Sequence, residues 1–352
     1  MKPILITGGA GFVGTNLASR FLSEGTPVIV YDNLLRPGVE RNLSWLRATY
    51  GEKVTPVIGD IRDRATLAEV VKDASAVFHF AAQVAVTTSL KDPIHDYGVN
   101  AGGTLNVLEC LRALKSPPPL VFTSTNKVYG GLEDVLLEEA GPRYAPASRH
   151  VRLHGIDEAR PLDFHSPYGC SKGTADQYVL DYARSFGMPT AVFRMSCIYG
   201  PHQYGNEDQG WVAHFLIRAL EGEPLTLYGD GRQVRDLLFV EDLVEAFVLA
   251  LRHFRCVRGK AFNVGGGPAN TVSLLELLDR IEHLHGQRPA VRMEGWRTGD
   301  QRYYVSDSSR LRAAVGWQPR VDVGAGLERL YEWLRQARSL EQSPRLTGAV
   351  SR

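Results

Sequence analysis

Two rhythms of apolar residues alternate along the first half of the chain. Short unbroken apolar runs lie at Pro3 to Thr7, Pro27 to Tyr31, Val54 to Ile58, Ala76 to Phe80, Leu120 to Ser124 and Pro189 to Arg194. Runs of this length bounded by turn residues predict strands buried on both faces. Between them the apolar residues recur every third or fourth position. Phe12, Val13, Leu17, Phe21 and Leu22 do so up to Gly25, then Leu67, Val70 and Val71, then the segment 95–114, and then a stretch opening at Ser166-Pro167. That spacing predicts helices, and Ser followed by Pro reads as an N-cap with a first-turn proline. Strand and helix in alternation predict an α/β fold, a doubly wound parallel sheet with helices on both faces.

The second half repeats the alternation on a smaller scale. Trp211 to Leu220, Asp242 to Leu251, Ser273 to His285 and Leu327 to Leu334 are helical in pattern. Leu225 to Tyr228, Arg232 to Val240 and Ala261 to Val264 read as strands. The expected organisation is a sheet domain over 1–190, carrying an aperiodic insertion at about 131–165, and a smaller α/β substrate domain over 191–336, with the chain crossing between them. The polar tail, 337–352, is expected to be disordered. The insertion is too long for an ordinary connection, and reads as functional or as a mobile lid. Its Arg143, Arg149, His150, Arg152 and His154 could reach an anionic ligand, or simply be solvated.

Composition narrows the partners. Lys and Arg number 40 against 39 Asp and Glu, so no global field draws the chain to nucleic acid or to a membrane. No leading segment resembles a signal peptide and no apolar run is long enough to span a bilayer. The four cysteines show neither CxxC nor zinc spacing, so no metal is expected. A cytoplasmic protein with reduced thiols is the expectation.

The first candidate chemistry is Gly8-x-x-Gly11-x-x-Gly14, placed between the first strand and the first helix. Glycines there let backbone N–H groups and the helix N-terminus approach a pyrophosphate, as in the Rossmann fold. Phe12 and Val13 open that helix. Asp32 ends the second strand 18 residues beyond Gly14. A carboxylate so placed accepts from the adenosine ribose and repels a 2′-phosphate, which favours NAD over NADP. Asn33 follows it. Asp60 and Ile61, after the third strand, could meet the adenine edge, or Asp60 could cap the next helix. Ala81 and Ala82 are small enough for the backbone to lie against a cofactor.

The second candidate is Tyr168 and Lys172, four apart on one helix face. An ammonium beside a phenol stabilises the phenolate, giving a group able to take a proton from a sugar hydroxyl. A solvated helix face would carry the same two residues.

Taken together, GGAGFVG, Asp32, Asp60, HFAAQ, TSTNKVYG and YGCSK resemble the extended short-chain dehydrogenase/reductases, the NAD-dependent epimerase/dehydratase family, over nearly the whole chain. The resemblance implies that Thr125 hydrogen-bonds the reacting oxygen, Tyr168 is the acid/base, and Lys172 holds the nicotinamide ribose. Asn100 would help to organise the cofactor site. STNKVYG, DFHSPYGCSKG and SCIYG further resemble the group acting at C2 of CDP-paratose and CDP-tyvelose. Cys197 stands where many UDP-hexose relatives carry Asn. The implied reaction inverts C2 of a nucleotide-linked hexose by oxidation to a keto sugar, rotation and re-reduction. Arg235 and then Arg297 or Arg302 are the candidate diphosphate anchors, though pairing with Asp236 or Asp300 would also account for them. Asn126, Cys197, Gln209 and Tyr228 are candidates for lining the substrate pocket. The rival readings are a 4-epimerase or decarboxylase of a UDP- or dTDP-sugar, and a non-catalytic NAD-binding redox sensor. A 4,6-dehydratase fits less well, because Asn126-Lys127 replaces the acidic pair expected after Thr125. Similar proteins form homodimers through a four-helix bundle, on which Leu105, Leu108, Val179 and Tyr182 would lie.

Overall fold

The structure, a computed structural model, describes residues 2–342. Seven parallel strands form the central sheet in the order Ala261–Val264, Thr190–Met195, Leu120–Thr125, Ala76–His79, Ile4–Thr7, Val28–Asp32, Val54–Ile58. Strand alternation sorts the apolar residues to the two faces. Ile4, Ile6, Val28, Val30, Val121 and Phe193 join one core beneath the helices Phe12–Ser23, Val39–Tyr50 and Val240–Arg252. Leu5, Ile29, Tyr31, Phe122 and Val192 join the other, beneath Gly103–Arg112 and Ser166–Ser185. The α/β doubly wound reading therefore holds.

The dividing line expected at 190/191 falls at the start of a strand of this sheet, and Ala261–Val264 returns to its edge. The chain thus crosses twice into the second layer. There Val234–Phe239 pairs with Thr271–Ser273, Tyr303–Tyr304 and Cys197–Tyr199, and Leu225–Tyr228 pairs with Val291–Glu294. A third core unites all of these strands except Tyr303–Tyr304 with the helices Trp211–Glu221, Leu274–His285 and Val323–Gln342. The capping box of Ser273 and Glu276 starts the second of these helices.

Three local expectations change. The helix expected over 95–114 is a broken run of Pro93–Tyr97, a π-helical turn Gly98–Gly102, and Gly103–Arg112, and a further helix, Val86–Lys91, precedes it. Asp92 breaks and re-caps it by accepting from the His95 N–H at 2.9 Å, with Pro93 in the first turn. The periodicity placed nothing between 33 and 53, yet Val39–Tyr50 is helical, because only Val39, Leu43 and Leu46 of its apolar residues turn inward. The last helix runs on through 337–342, and the rest of the expected tail lies outside the described residues.

The insertion contains a hairpin, Leu137–Ala140 with Arg143–Pro146, and a helix Arg149–His154. Arg143 does not reach a ligand cleft. It donates to Glu276 Oε1 at 2.6 Å and to Thr271 Oγ1 at 3.0 Å. Arg152 donates to the Ala147 carbonyl, and the rings of His150 and His154 pack 4.9 Å apart.

Candidate active site

All strands of a parallel sheet end on one side, and the chemistry-bearing residues collect there. One continuous cleft is lined by Gly8, Gly11, Phe12, Val13, Asp32, Asn33, Ile61, Ala81, Ala82, Tyr168, Lys172 and Gln209. At Gly8 φ is 68°, and a Cβ would stand 2.7 Å from the Ala81 nitrogen. The first strand's turn and the loop after the fourth strand therefore pack backbone against backbone. This leaves a smooth floor beneath the N-terminus of Phe12–Ser23, the setting that a dinucleotide pyrophosphate takes. Asp32 is fixed by two N–H donors, Ala10 at 3.1 Å and Leu34 at 2.9 Å. Burial raises its pKa while those bonds pull it down. The residues present thus fit NAD, with Asp32 able to hold the adenosine ribose.

Asp60 is paired within its own turn, between the cleft-lining Gly59 and Ile61. Arg62 grips it through Nε and Nη2, each at 2.8 Å, and holds its pKa far below the usual carboxylate range. Asn33 adds a donor at 3.4 Å. The capping role considered for Asp60 belongs instead to Asp63, which accepts from Ala65 and Thr66.

The helix Ser166–Ser185 carries Tyr168 and Lys172 into the cleft. Ser166 takes a left-handed φ of 63° and its Oγ accepts from the Gly169 N–H at 3.3 Å, so it acts as the cap in spite of opening the helix. Ser89 Oγ accepts from the Tyr168 N–H at 3.1 Å. Lys172 Nζ donates to the Thr123 carbonyl at 2.6 Å and sits 4.3 Å over the Phe122 ring. Burial pushes the lysine down to about 7, with Asp176 and Asp96 pulling it back. Burial also pushes Tyr168 up to about 12, against a hydrogen bond with Thr125. The expected depression of the phenol by Lys172 is thus absent. Both groups are buried, and the ammonium is turned to a backbone carbonyl.

Asn100 lies behind the cleft rather than in it. Its Oδ1 accepts from the Gln83 N–H at 2.9 Å and its Nδ2 donates to Gln83 O, Asp96 Oδ1 and Ser171 Oγ. Gln83 Nε2 closes the network on Asp96 at 2.7 Å. The amide ties the loop that carries Ala81 and Ala82 to the helix that carries Tyr168.

The substrate candidates form a second cluster. Thr125 Oγ1 accepts from the Lys127 N–H at 3.2 Å. Asn126 Nδ2 donates to Gln301 Oε1 at 3.4 Å, and Gln301 Nε2 donates to Gly130 O at 2.7 Å. Buried Arg235 donates to Val234 O at 2.9 Å and Gln301 O at 2.5 Å, and lies 3.4 Å from Asp300, not against Asp236. Arg297 stacks 3.7 Å over the Tyr228 ring and donates to Glu207 O at 2.9 Å, while the Tyr228 hydroxyl donates to Glu207 at 2.5 Å. Arg302 is exposed, between the rings of Trp296 and Tyr144. Cys197 Sγ accepts from Trp211 Nε1 at 3.5 Å, and burial pushes its thiol up.

Two residues not chosen from the sequence belong to this setting. Lys127 Nζ donates to Gly299 O at 3.0 Å, and burial, helped by Arg235, lowers it to about 8. Its position two residues after Thr125 was the available signal. Gln301 gave none, since its partners lie 171 and 175 residues away in the chain.

The comparisons with known proteins agree with this geometry. Residues 4–265 match the model of the NAD dependent epimerase/dehydratase family. The chain is 43% identical over 337 residues to the CDP-paratose 2-epimerase of Salmonella typhi, covering 94% of this chain and 98% of that one. It is 32% identical to the UDP-glucose 4-epimerase of Mycolicibacterium smegmatis, over 94% of this chain and 98% of that one. Among solved structures, the UDP-glucuronic acid 4-epimerase of Bacillus cereus, in complex with UDP-glucuronic acid and NAD, superposes with a TM-score of 0.81 at 27% identity, covering 95% of this chain and 99% of that one. Among the described residues no helix is long and apolar enough to cross a membrane. A cleft shaped for a dinucleotide, a buried Thr, Tyr and Lys beside it, and these likenesses place the chain in the NAD dependent epimerase/dehydratase family, as an NAD-dependent isomerase.

Proposed function

We propose that this enzyme inverts C2 of a nucleotide-linked hexose of the CDP-paratose type. The observation that carries this reading is the 43% identity, spread over 94% of the chain, to a CDP-paratose 2-epimerase. NAD supplies the reversible hydride acceptor that the inversion needs. The residues of the chain do the rest. Tyr168, with its proton held by burial and its oxygen bonded to Thr125, exchanges a proton with the sugar hydroxyl. Lys172 holds the nicotinamide ribose, and its charge develops most readily when a phenolate or ligand oxygen replaces the Thr123 carbonyl beside it. Arg235 anchors the diphosphate, its guanidinium pre-set by two backbone carbonyls. A fixed diphosphate leaves the sugar free to turn between half-reactions.

The enzyme acts as a homodimer in this reading. Leu108 and Val179 are fully buried and Tyr182 is 6% exposed, so they belong to the core instead of an interface. Exposed Leu90 on the preceding helix, Ile94 and Tyr97 on the broken helical run, and Tyr178 on the catalytic helix, offer the apolar face. Sedimentation at micromolar concentration would show a dimer, and an I94D substitution would dissociate it.

CDP-, UDP-, GDP- and dTDP-hexoses deuterated at C2 test the chemistry. Inversion at C2 with deuterium retained supports it. Deuterium lost to solvent replaces hydride transfer by proton abstraction, and inversion at C4 replaces the 2-epimerase by a 4-epimerase.

A further inference from the structure

A second cavity, of about 720 Å³, opens beside the helix Ser166–Ser185 and shares no lining residue with the cofactor cleft. One wall is the helix flank of Gln177, Leu180 and Arg184, three and four residues apart and turned away from Tyr168 and Lys172. Another is Arg258-Gly259-Lys260, which leads into Ala261–Val264, the edge strand of the seven-stranded sheet. The insertion supplies a third, where Glu158 Oε1 accepts from the Asn263 N–H of that strand at 2.6 Å. An open strand edge leaves N–H groups without partners, and this carboxylate covers one of them.

Six cations line the cavity, Arg160, Arg184, Arg194, Arg258, Lys260 and Arg310, against the single carboxylate of Glu158. The whole chain carries a net charge of only +1, so the excess is local. Two of the six are already answered, Arg160 by Asp134 and buried Arg194 by Asp176. Arg184 lies 3.9 Å from Asp181, in a pair exposed on both sides. The other three have no ion-pair partner among the described residues. Arg258 donates to the Gly187 carbonyl, Lys260 donates to the Cys256 carbonyl at 3.1 Å, and Arg310 lies 5.5 Å from the centre of the Phe262 ring. Like charges gathered round one hollow repel one another, and an anion placed among them removes that cost. No aromatic ring lines the cavity, so its walls can grip phosphates but cannot stack a nucleotide base.

We propose that this cavity is a second binding site, taking a chain of two or three linked phosphates among Arg258, Lys260 and Arg310. A guanidinium fork meets phosphate oxygens in pairs, and the lysine adds a point charge. A chain of phosphates spans cations that a single phosphate cannot reach together. The site stands apart from the sugar chemistry, and its occupancy does not depend on which nucleotide sugar the cleft accepts.

Calorimetric titration of the full chain with tripolyphosphate tests this. One equivalent should bind per chain, at least tenfold more tightly than inorganic phosphate, and more weakly as salt is raised. Arg258→Ala with Lys260→Ala should weaken binding at least tenfold, and Arg310→Ala at least threefold. All three side chains belong to exposed residues, so thermal melting should not change. Lys72→Ala with Arg329→Ala, which removes two exposed cations elsewhere, should leave the constant within twofold. Arg235→Ala, in the substrate cleft, should do the same. Loss in Arg235→Ala with retention in the cavity variants would return the phosphates to the substrate cleft and overturn the proposal. Loss in the surface control equal to that in the cavity variants would reduce the effect to bulk charge and overturn it too, as would a dissociation constant weaker than about 1 mM. Should Arg235→Ala fail to fold, the cavity and surface variants decide between them. ATP separates the sources of the ligand. Affinity equal to that of tripolyphosphate supports recognition of the phosphate chain alone, and a tenfold preference for ATP that the cavity variants abolish supports the same site with a nucleotide as its source.

Discussion

Arg194 holds Asp176 through two hydrogen bonds of 2.9 Å, from Nε and Nη2, with side-chain exposures of 5% and 0%. Arg194 comes from the strand Thr190–Met195, and Asp176 stands one turn beyond Lys172 on the catalytic helix. The pair therefore fixes the height of that helix over the sheet. Arg194→Met leaves a carboxylate buried without its partner and should cost about 3–5 kcal/mol of unfolding free energy. Arg194→Met with Asp176→Leu should recover most of that loss. Urea titrations of the three proteins measure both steps, and equal loss in the single and double variants would show that the pair does not position the helix.

Tyr168→Phe should retain NAD affinity within about threefold and lose roughly 10²–10⁴ in kcat. Epimerisation of the best nucleotide sugar gives the rate, and fluorescence titration gives the affinity. A variant that loses cofactor binding in step with turnover would make the phenol structural.

His79 supplies the pH prediction. It is fully buried, 2.7 Å from Thr7 Oγ1 and 3.0 Å from Thr104 Oγ1, and burial lowers its pKa to about 3. The unfolded chain binds this proton near pH 6.5 while the folded one refuses it, so stability is whole above 6.5 and is lost as pH falls toward 3. Between pH 6.5 and 5 the loss from this residue is about 2 kcal/mol. His79→Gln should flatten the fall; an unchanged slope would assign acid sensitivity to other groups.

Gly8→Ala places a Cβ 2.7 Å from the Ala81 nitrogen at a φ of 68°. The backbone must shift out from under the pyrophosphate, so NAD affinity should fall at least tenfold, with a strain of about 1–3 kcal/mol in stability. Calorimetric titration with NAD measures the first and thermal melting the second. Gly25→Ala, where nothing stands within 4 Å despite a φ of 89°, is the control with strain but no cofactor contact.

The parts of the site that lie close in sequence were legible, because local chemistry dictates them. The strand, the three glycines and Asp32 form one unit, and Tyr168 and Lys172 share a helix face. Asp60 was ambiguous, because a carboxylate after a strand has several uses, and neither its pairing with Arg62 nor the capping by Asp63 is written in the spacing. The phenol's upward shift was also out of reach. Spacing shows that an ammonium is near, whereas burial and the direction of Nζ toward Thr123 determine its effect. Helix Val39–Tyr50 was hidden by its polar exterior, and the order within the insertion by ties such as Arg143 to Glu276, 133 residues away.

The loop 299–301 is bonded on one side to Arg235 and on the other to Asn126, Lys127 and Gly130. Whatever pulls on Arg235 is therefore felt at the turn that follows Thr125. A sugar 1-phosphate stripped of its nucleotide would leave that linkage slack, and should be turned over slowly even at saturation. In this enzyme the handle of the substrate would set the pace of the chemistry at its other end.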